Sequence, residues 1–226
     1  MTTSFQRARR PEQKEQRRQD ILDAAAALGR RDGVRAVTLT GLAGEAGVHK
    51  SAVLRYFESR EAVFLLLTAD AWQDWATAVE EALPEPTDPQ EVAAVLAGTL
   101  GNRPLFCDLL AHAQLNLERG VSEQEVRAFK VSALAAVDRI AHTLTSAMPS
   151  VSRSQAIDVI AGVTAVAAAL WQTANPPETL ARIYAQDPAF AHSPLEFAPR
   201  LERLVALLLT GTAAAAEHGT GTAEGA

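Results

Sequence analysis

Apolar residues recur at helical spacing along most of the chain, and the places where that spacing breaks divide it into segments. Ile21, Leu22, Ala25 and Leu28 share one face of a helix over 12–32 whose other faces are Arg, Gln, Lys, Glu and Asp. Gly33 ends it. Thr38 stands at an N-cap position before a short helix carrying Leu39, Leu42, Ala43 and Ala46. Gly47 stops that helix as a residue free to take positive φ. A third helix is predicted over 50–57. Ser59 is placed to cap a fourth, with Glu61 in its first turn, running to 83. PEPTDP, at 84–89, cannot continue a helix. Helical spacing resumes over 90–101, 104–119, 122–147 and 152–173. Five prolines break 174–199, leaving room for one short helix over 178–185, and a last helix covers 199–216.

Composition agrees with this pattern. Alanine and leucine are frequent and β-branched runs scarce, so the 226 residues are expected to fold as an all-α protein. Cys107 is the only cysteine, which excludes an intrachain disulfide and a two-cysteine metal knuckle and suits a reducing cytoplasm. The basic N-terminus has no apolar run behind it, and no later stretch reads as an uninterrupted spanning helix. The chain is therefore expected to be cytoplasmic and not membrane-embedded.

Charge changes the picture when it is divided. Residues 1–60 hold 12 Lys/Arg against 7 Asp/Glu, a surplus of +5, and residues 61–226 hold 9 against 20, a balance of −11. A basic end on an acidic body suits a polyanionic partner, although charge runs are also ordinary solvated helix faces.

The stretch from Leu39 to Phe57 meets the steric demands of a helix-turn-helix. Two steeply crossing helices need a small residue at their approach, here Ala43, and a turn residue able to adopt the left-handed conformation, here Gly47. Leu42, Val48, Val53 and Phe57 are assigned to the shared core. His49, Lys50, Ser51, Arg55 and Tyr56 are then left on the outer face, where several can donate to phosphate. Lys50 and Arg55 can also read guanine edges in a major groove.

RRQDILDAAAAL, the Gly33-to-Thr38 hinge, LAGEAGV, a short helix ending RYF, and ESREAV together resemble the DNA-binding domain of the tetracycline-repressor (TetR) family of transcriptional regulators. The stretch NRPLFCDLLAHAQLNLERGVSEQEVRAFK looks like the C-terminal domain of one branch of that family. The resemblance implies a three-helix DNA-binding unit, a long fourth helix leading into a ligand-sensing domain, and a homodimer on a palindromic operator. It also implies DNA contacts by Thr38, Lys50, Arg55 and Tyr56, with Arg60 matching a family lysine near the start of the fourth helix; Thr40, His49 and Ser51 complete the expected DNA-contacting set. Three departures stand out. Leu54 occupies a position where the family usually has a phosphate-contacting tyrosine. His49 stands where a serine commonly caps the recognition helix. Gly41 and Gly44 lie inside the second helix, each costing about 1 kcal/mol relative to Ala.

The expected organisation is a flexible basic arm over 1–14, a helix-turn-helix domain over 15–60, a helical ligand-binding and dimerisation domain over 61–216, and a disordered tail over 217–226. Arg7, Arg9 and Arg10 of the arm either reach an adjacent minor groove or simply solubilise the chain. In the larger domain, Phe106, Leu109, Leu110, Gln114, Leu117, Phe129, Leu134, Val137, Thr164 and Trp171 are candidates to line a small-molecule pocket, with core packing as the alternative for each. Asp108 with His112, and Asp138 with His142, are spaced i, i+4. Nothing shows that the pairs face each other, so local surface hydrogen bonds are preferred to a metal site.

A dimer interface is expected from Ile157, Ile160, Ala161, Ala165 and Ala168 with Leu201, Leu204, Val205 and Leu208. No metal or cofactor is assigned and no enzyme motif is recognised. The function predicted is a DNA-binding, ligand-responsive regulator, with a helical adaptor binding protein through the 50–57 face as the alternative.

Overall fold

A computed structural model describes the backbone of residues 3–83, 86–113, 116–187, 189–190 and 196–220, and the side chains among them over 12–83, 86–113, 116–187, 189–190 and 196–212. Gln114, His192, residues 221–226 and the side chains of Arg7, Arg9 and Arg10 lie outside that description. Among the described residues there are ten α-helices and no strand, as the alanine- and leucine-rich pattern demands. They are α1 (Thr3–Asp32), α2 (Leu39–Glu45), α3 (Lys50–Val53), α4 (Arg60–Ala82), α5 (Pro89–Gly101), α6 (Pro104–Ala113), α7 (Glu123–Ala147), α8 (Arg153–Ala174), α9 (Glu178–Gln186) and α10 (Phe197–Thr220).

Four boundaries differ from the sequence reading. α1 starts at Thr3 in place of a flexible arm over 1–14, since Gln, Arg, Lys and Glu are good helix formers and only Pro11 interrupts them. The helix expected over 104–119 ends at Ala113, and Leu117–Arg119 forms a separate 3₁₀ turn. α3 covers only the first half of 50–57. α10 continues past 216 to Thr220.

Contacts divide the chain into two units, and the division falls inside α4, α6 and α7 rather than in a linker. The first unit comprises residues up to Thr68 together with His112–Phe129, and the second comprises Ala69–Ala111 with Lys130 onward. In the first unit α1 packs on α2 and on the 3₁₀ turn Val34–Ala36, and Ile21, Leu22, Ala25 and Leu28 are buried, as are Val34, Leu42, Val53 and Phe57. Arg31 reaches from α1 to Glu45 of α2 at 3.5 Å, and the Arg18 guanidinium lies 5.4 Å from the centre of the Phe57 ring. The segment after α6 joins this unit through buried Leu117 and two hydrogen bonds. Ser59 Oγ donates to the Gly120 carbonyl at 3.1 Å, and the Ser122 amide donates to the Glu58 carboxylate.

The second unit is a helical bundle. Asp88 caps α5 by accepting from the amides of Gln90 and Glu91, and Ser152 with Gln155 forms a capping box on α8. The Trp75 indole N–H donates to Thr99 Oγ1 at 3.0 Å, and Arg139 of α7 grips Glu80, Thr77 and Gln73 of α4. α10 packs on α5 and α8. Gly162 permits the close approach of α8 to α10, because a Cβ there would lie 2.9 Å from Leu208 Cδ2.

α8 corrects one expectation: by length and composition it is apolar enough to cross a membrane. Its apolar character has a packing explanation, since Ala156, Val159, Ile160, Val163 and Ala167 are buried inside the unit. α9 buries none of its residues.

Candidate nucleic-acid interface

The local geometry of the first unit builds a helix-turn-helix from its caps inward. Thr38 has extended backbone, and its Oγ1 accepts from the Gly41 amide at 3.0 Å, satisfying one of the orphan donors at the start of α2. A Cβ on residue 41 would stand 3.3 Å from that oxygen, so the glycine that weakens the helix also leaves its cap uncrowded. At the other end Gly47 has φ 64°, as its place in the turn predicts. Its amide donates to the Gly44 carbonyl at 3.1 Å and that of Val48 to Ala43 at 2.9 Å, the paired bonds of a Schellman motif. Ala43 and Val53 are buried where the two helices meet.

α3 is preceded by His49, which occupies the N-cap position and makes no side-chain cap bond. After Val53 the chain tightens: the amides of Arg55 and Tyr56 donate to the carbonyls three residues back, at 3.2 and 2.9 Å. The result is one helical turn and a tight continuation rather than two full helical turns. His49, Lys50, Ser51, Leu54 and Arg55 are exposed on it, with Thr38 and Thr40 exposed on α2, and Tyr56 is half-buried. The structure thus brings seven of the eight predicted side chains onto the surface of one motif. Neither Lys50 nor Arg55 forms an ion pair among the described residues. Arg31 is committed elsewhere: its hydrogen bonds to Asp32, both at 2.9 Å, raise the guanidinium pKa and lower that of the carboxyl.

Arg60 is bonded within the first unit. Only 17 % of its side chain is exposed. The guanidinium donates to the carbonyls of Val34 and Val37 and to Glu61, and lies 4.8 Å from the centre of the Phe64 ring. It ties the loop before α2 to the start of α4. Beside it an open groove is lined by Arg35, Thr38, Leu39 and Leu54 among others. Arg35 is an exposed cation that the sequence reading did not select, although its place three residues before Thr38 was the available signal.

The candidate pocket residues scatter. Leu117 and Phe129 are buried in the first unit; Phe106, Leu109 and Thr164 are buried in the second, where Leu110, Val137 and Trp171 are half-buried. Leu134 is 65 % exposed, and so fits neither a core nor a pocket role within the chain. Thr164 satisfies its hydroxyl on the Ile160 carbonyl, and Trp171 packs edge-on against Phe197.

Two features of this unit escaped the sequence reading. Trp72, Trp75 and Phe106 cluster with ring centres 5.4–5.9 Å apart. Asp108, read as a surface residue, is buried and accepts from Gln172 at 2.7 Å, an example of a buried carboxylate held by a hydrogen-bond donor. His112 pairs with Asn116 and Asp138 with Arg153, and no cluster of three metal-ligating side chains exists among the described residues. Burial pushes the Cys107 thiol up to about 12. Of the expected interface residues, Ile160, Leu201 and Val205 are core, whereas Ala161, Ala165, Leu204 and Leu208 face outward beside Leu207.

Comparison with known proteins bears on both parts of the chain. Residues 21–67 match the family described as "Bacterial regulatory proteins, tetR family", and residues 69–216 match "Tetracyclin repressor-like, C-terminal domain". No curated protein matches the chain significantly. Among solved structures, a protein described as a TetR-family transcriptional regulator from Mesorhizobium loti MAFF303099 superposes with a TM-score of 0.54 at 17% identity, over 89% of this chain and 97% of its own. The multidrug binding protein EbrR, complexed with imidazole, gives 0.53 at 18% identity over 85% and 94%. Thermus thermophilus FadR, in complex with lauroyl-CoA, gives 0.51 at 21% over 86% and 94%. These structural likenesses establish a shared fold, and the two family matches cover most of the sequence. The chain belongs to the TetR family of bacterial transcriptional regulators and carries its DNA-binding helix-turn-helix at the N-terminal end.

Proposed function

We propose that the protein is a cytoplasmic repressor that binds a palindromic operator as a homodimer and leaves it when a small organic molecule binds. The observation that carries this reading is the helix-turn-helix itself: a turn at Gly47 with positive φ between two helices that bury Ala43 and Val53, with Lys50, Ser51 and Arg55 exposed on its outer face. One such motif reads few base pairs, so specificity calls for two copies, with recognition helices about 34 Å apart on one face of the duplex. The outward side chains of α8 and α10 supply an apolar, self-complementary surface for that pairing. Leu207, 70 % exposed, is its most prominent member.

The second unit is the natural seat of the effector. It holds a cluster of three aromatic rings and a buried Asp108–Gln172 pair, the mixture of apolar wall and few polar groups that small-molecule sites use. EbrR and FadR, which share the fold, were solved with small organic ligands bound. α4, α6 and α7 contribute residues to both units, so a ligand that tilts α4 changes the separation of the two recognition helices.

Selection of bound sites from random duplexes tests the reading. A recovered palindrome with half-sites one helical turn apart supports it; absence of duplex binding even at low salt favours a protein-binding adaptor. The effector arm fails if no small molecule that binds the purified protein changes its affinity for the selected site.

A further inference from the structure

An apolar side chain sits in the middle of the polar outer face of the recognition turn. Leu54 is 45 % exposed. It follows Lys50 and Ser51 by four and three residues, so the three share one helical face, and Arg55 flanks it. Leu39 and Thr38 line the same groove. The core does not need this leucine, because Val53 and Phe57 already fill the interior on either side of it in sequence. Its neighbours can hold phosphates or base acceptors; Leu54 can do neither. It can, however, exclude water from an apolar patch, and the major-groove edge of a base pair presents one such patch, the C5-methyl of thymine.

We infer that Leu54 reads a thymine in each operator half-site by packing on its C5-methyl group, while Lys50 and Arg55 fix the register on either side. Cytosine would present a bare C5–H and an amino donor to the same leucine, which offers that donor no acceptor. The inference rests on the reading of the 49–56 face as the DNA-binding face, and it makes a position filled by leucine a determinant of sequence rather than the loss of a phosphate contact.

The test isolates one methyl group. From the selected operator, duplexes are made with deoxyuridine replacing each half-site thymine in turn. At one position wild-type protein should bind the uracil duplex roughly fourfold more weakly per half-site, the worth of burying one methyl group. Leu54→Ala should bind the thymine and uracil duplexes equally, with an unchanged salt slope since no charge is altered, and Leu54→Ile should keep the discrimination. Wild-type protein indifferent to uracil at every thymine overturns the proposal, as does Leu54→Ala that still discriminates; in both cases operator binding survives. Failure to select any duplex would instead overturn the DNA-binding reading on which it stands.

Discussion

Replacing Arg60 by Gln separates two roles that the sequence alone does not distinguish. As a phosphate contact, Arg60 would act on DNA affinity; as placed in the structure, it acts on the first unit. Its guanidinium donates to the carbonyls of Val34 and Val37, which lie in and just after the 3₁₀ turn preceding α2, and its side chain is largely shielded from solvent. A hydrogen bond from a charged donor contributes about 1.5–3 kcal/mol, and Gln can replace only part of the pair. The substitution should therefore weaken the anchoring of the loop before α2 by about 2 kcal/mol. All three tryptophans, Trp72, Trp75 and Trp171, belong to the second unit, so their fluorescence does not report this loss. Amide hydrogen exchange does: the amides of Leu42, Ala46 and Val48, bonded to Thr38, Leu42 and Ala43, should exchange roughly thirtyfold faster. The salt dependence of operator binding should keep its slope, because no phosphate contact is removed. If Arg60→Gln instead flattens the log–log slope by about 0.9 per lost contact while exchange at those amides is unchanged, the structural role is wrong.

Four other outcomes follow from the geometry. Gly47→Ala meets no atom within 4 Å, so its penalty is backbone strain at φ 64° alone, about 1–2 kcal/mol, again read by exchange at Val48. Trp75→Ala removes a fully buried indole and leaves Thr99 without its donor; chemical denaturation followed by circular dichroism should show the second unit losing about 3–5 kcal/mol. The hydrogen bonds of Arg139 hold the Glu80 carboxyl below its ordinary pKa. Their stabilisation is thus complete above the ordinary carboxylate range and lost as pH falls through the depressed value. Glu80→Gln should erase that acid-range difference, worth no more than about 1 kcal/mol for so exposed a pair, in denaturation series across pH. Cys107, buried and raised to about 12, should resist alkylation at pH 8 in the folded protein and react only as the second unit opens.

Much of the first unit was legible before any coordinates. Thr38 as a cap, Ala43 as the close-contact residue, Gly47 at positive φ and Val53 in the core are local demands of a tight helical pair, and the chain encodes them within twenty residues. The same reading did not foresee the anchoring of Arg60, because its partners Val34 and Val37 lie more than twenty residues upstream and no spacing rule links them. It took Asp108 for a surface residue for a similar reason: Gln172, 64 positions away, decides where that carboxylate can be buried.

Periodicity marked α8 and α10 as helices with apolar faces but not which side of each is consumed inside the chain. Packing settles that, burying Ile160, Leu201 and Val205 and leaving Ala161, Leu204 and Leu207 outside. By itself the sequence determined what is local: the all-α class, the caps and turn of the DNA-binding motif, and the cations on its outer face. Only the tertiary structure decided what depends on residues far apart in the chain. It joined the segment 112–129 to the first unit, turned Arg60 inward, and left Leu54 exposed among donors, because burial and hydrogen-bond satisfaction are properties of the packed whole.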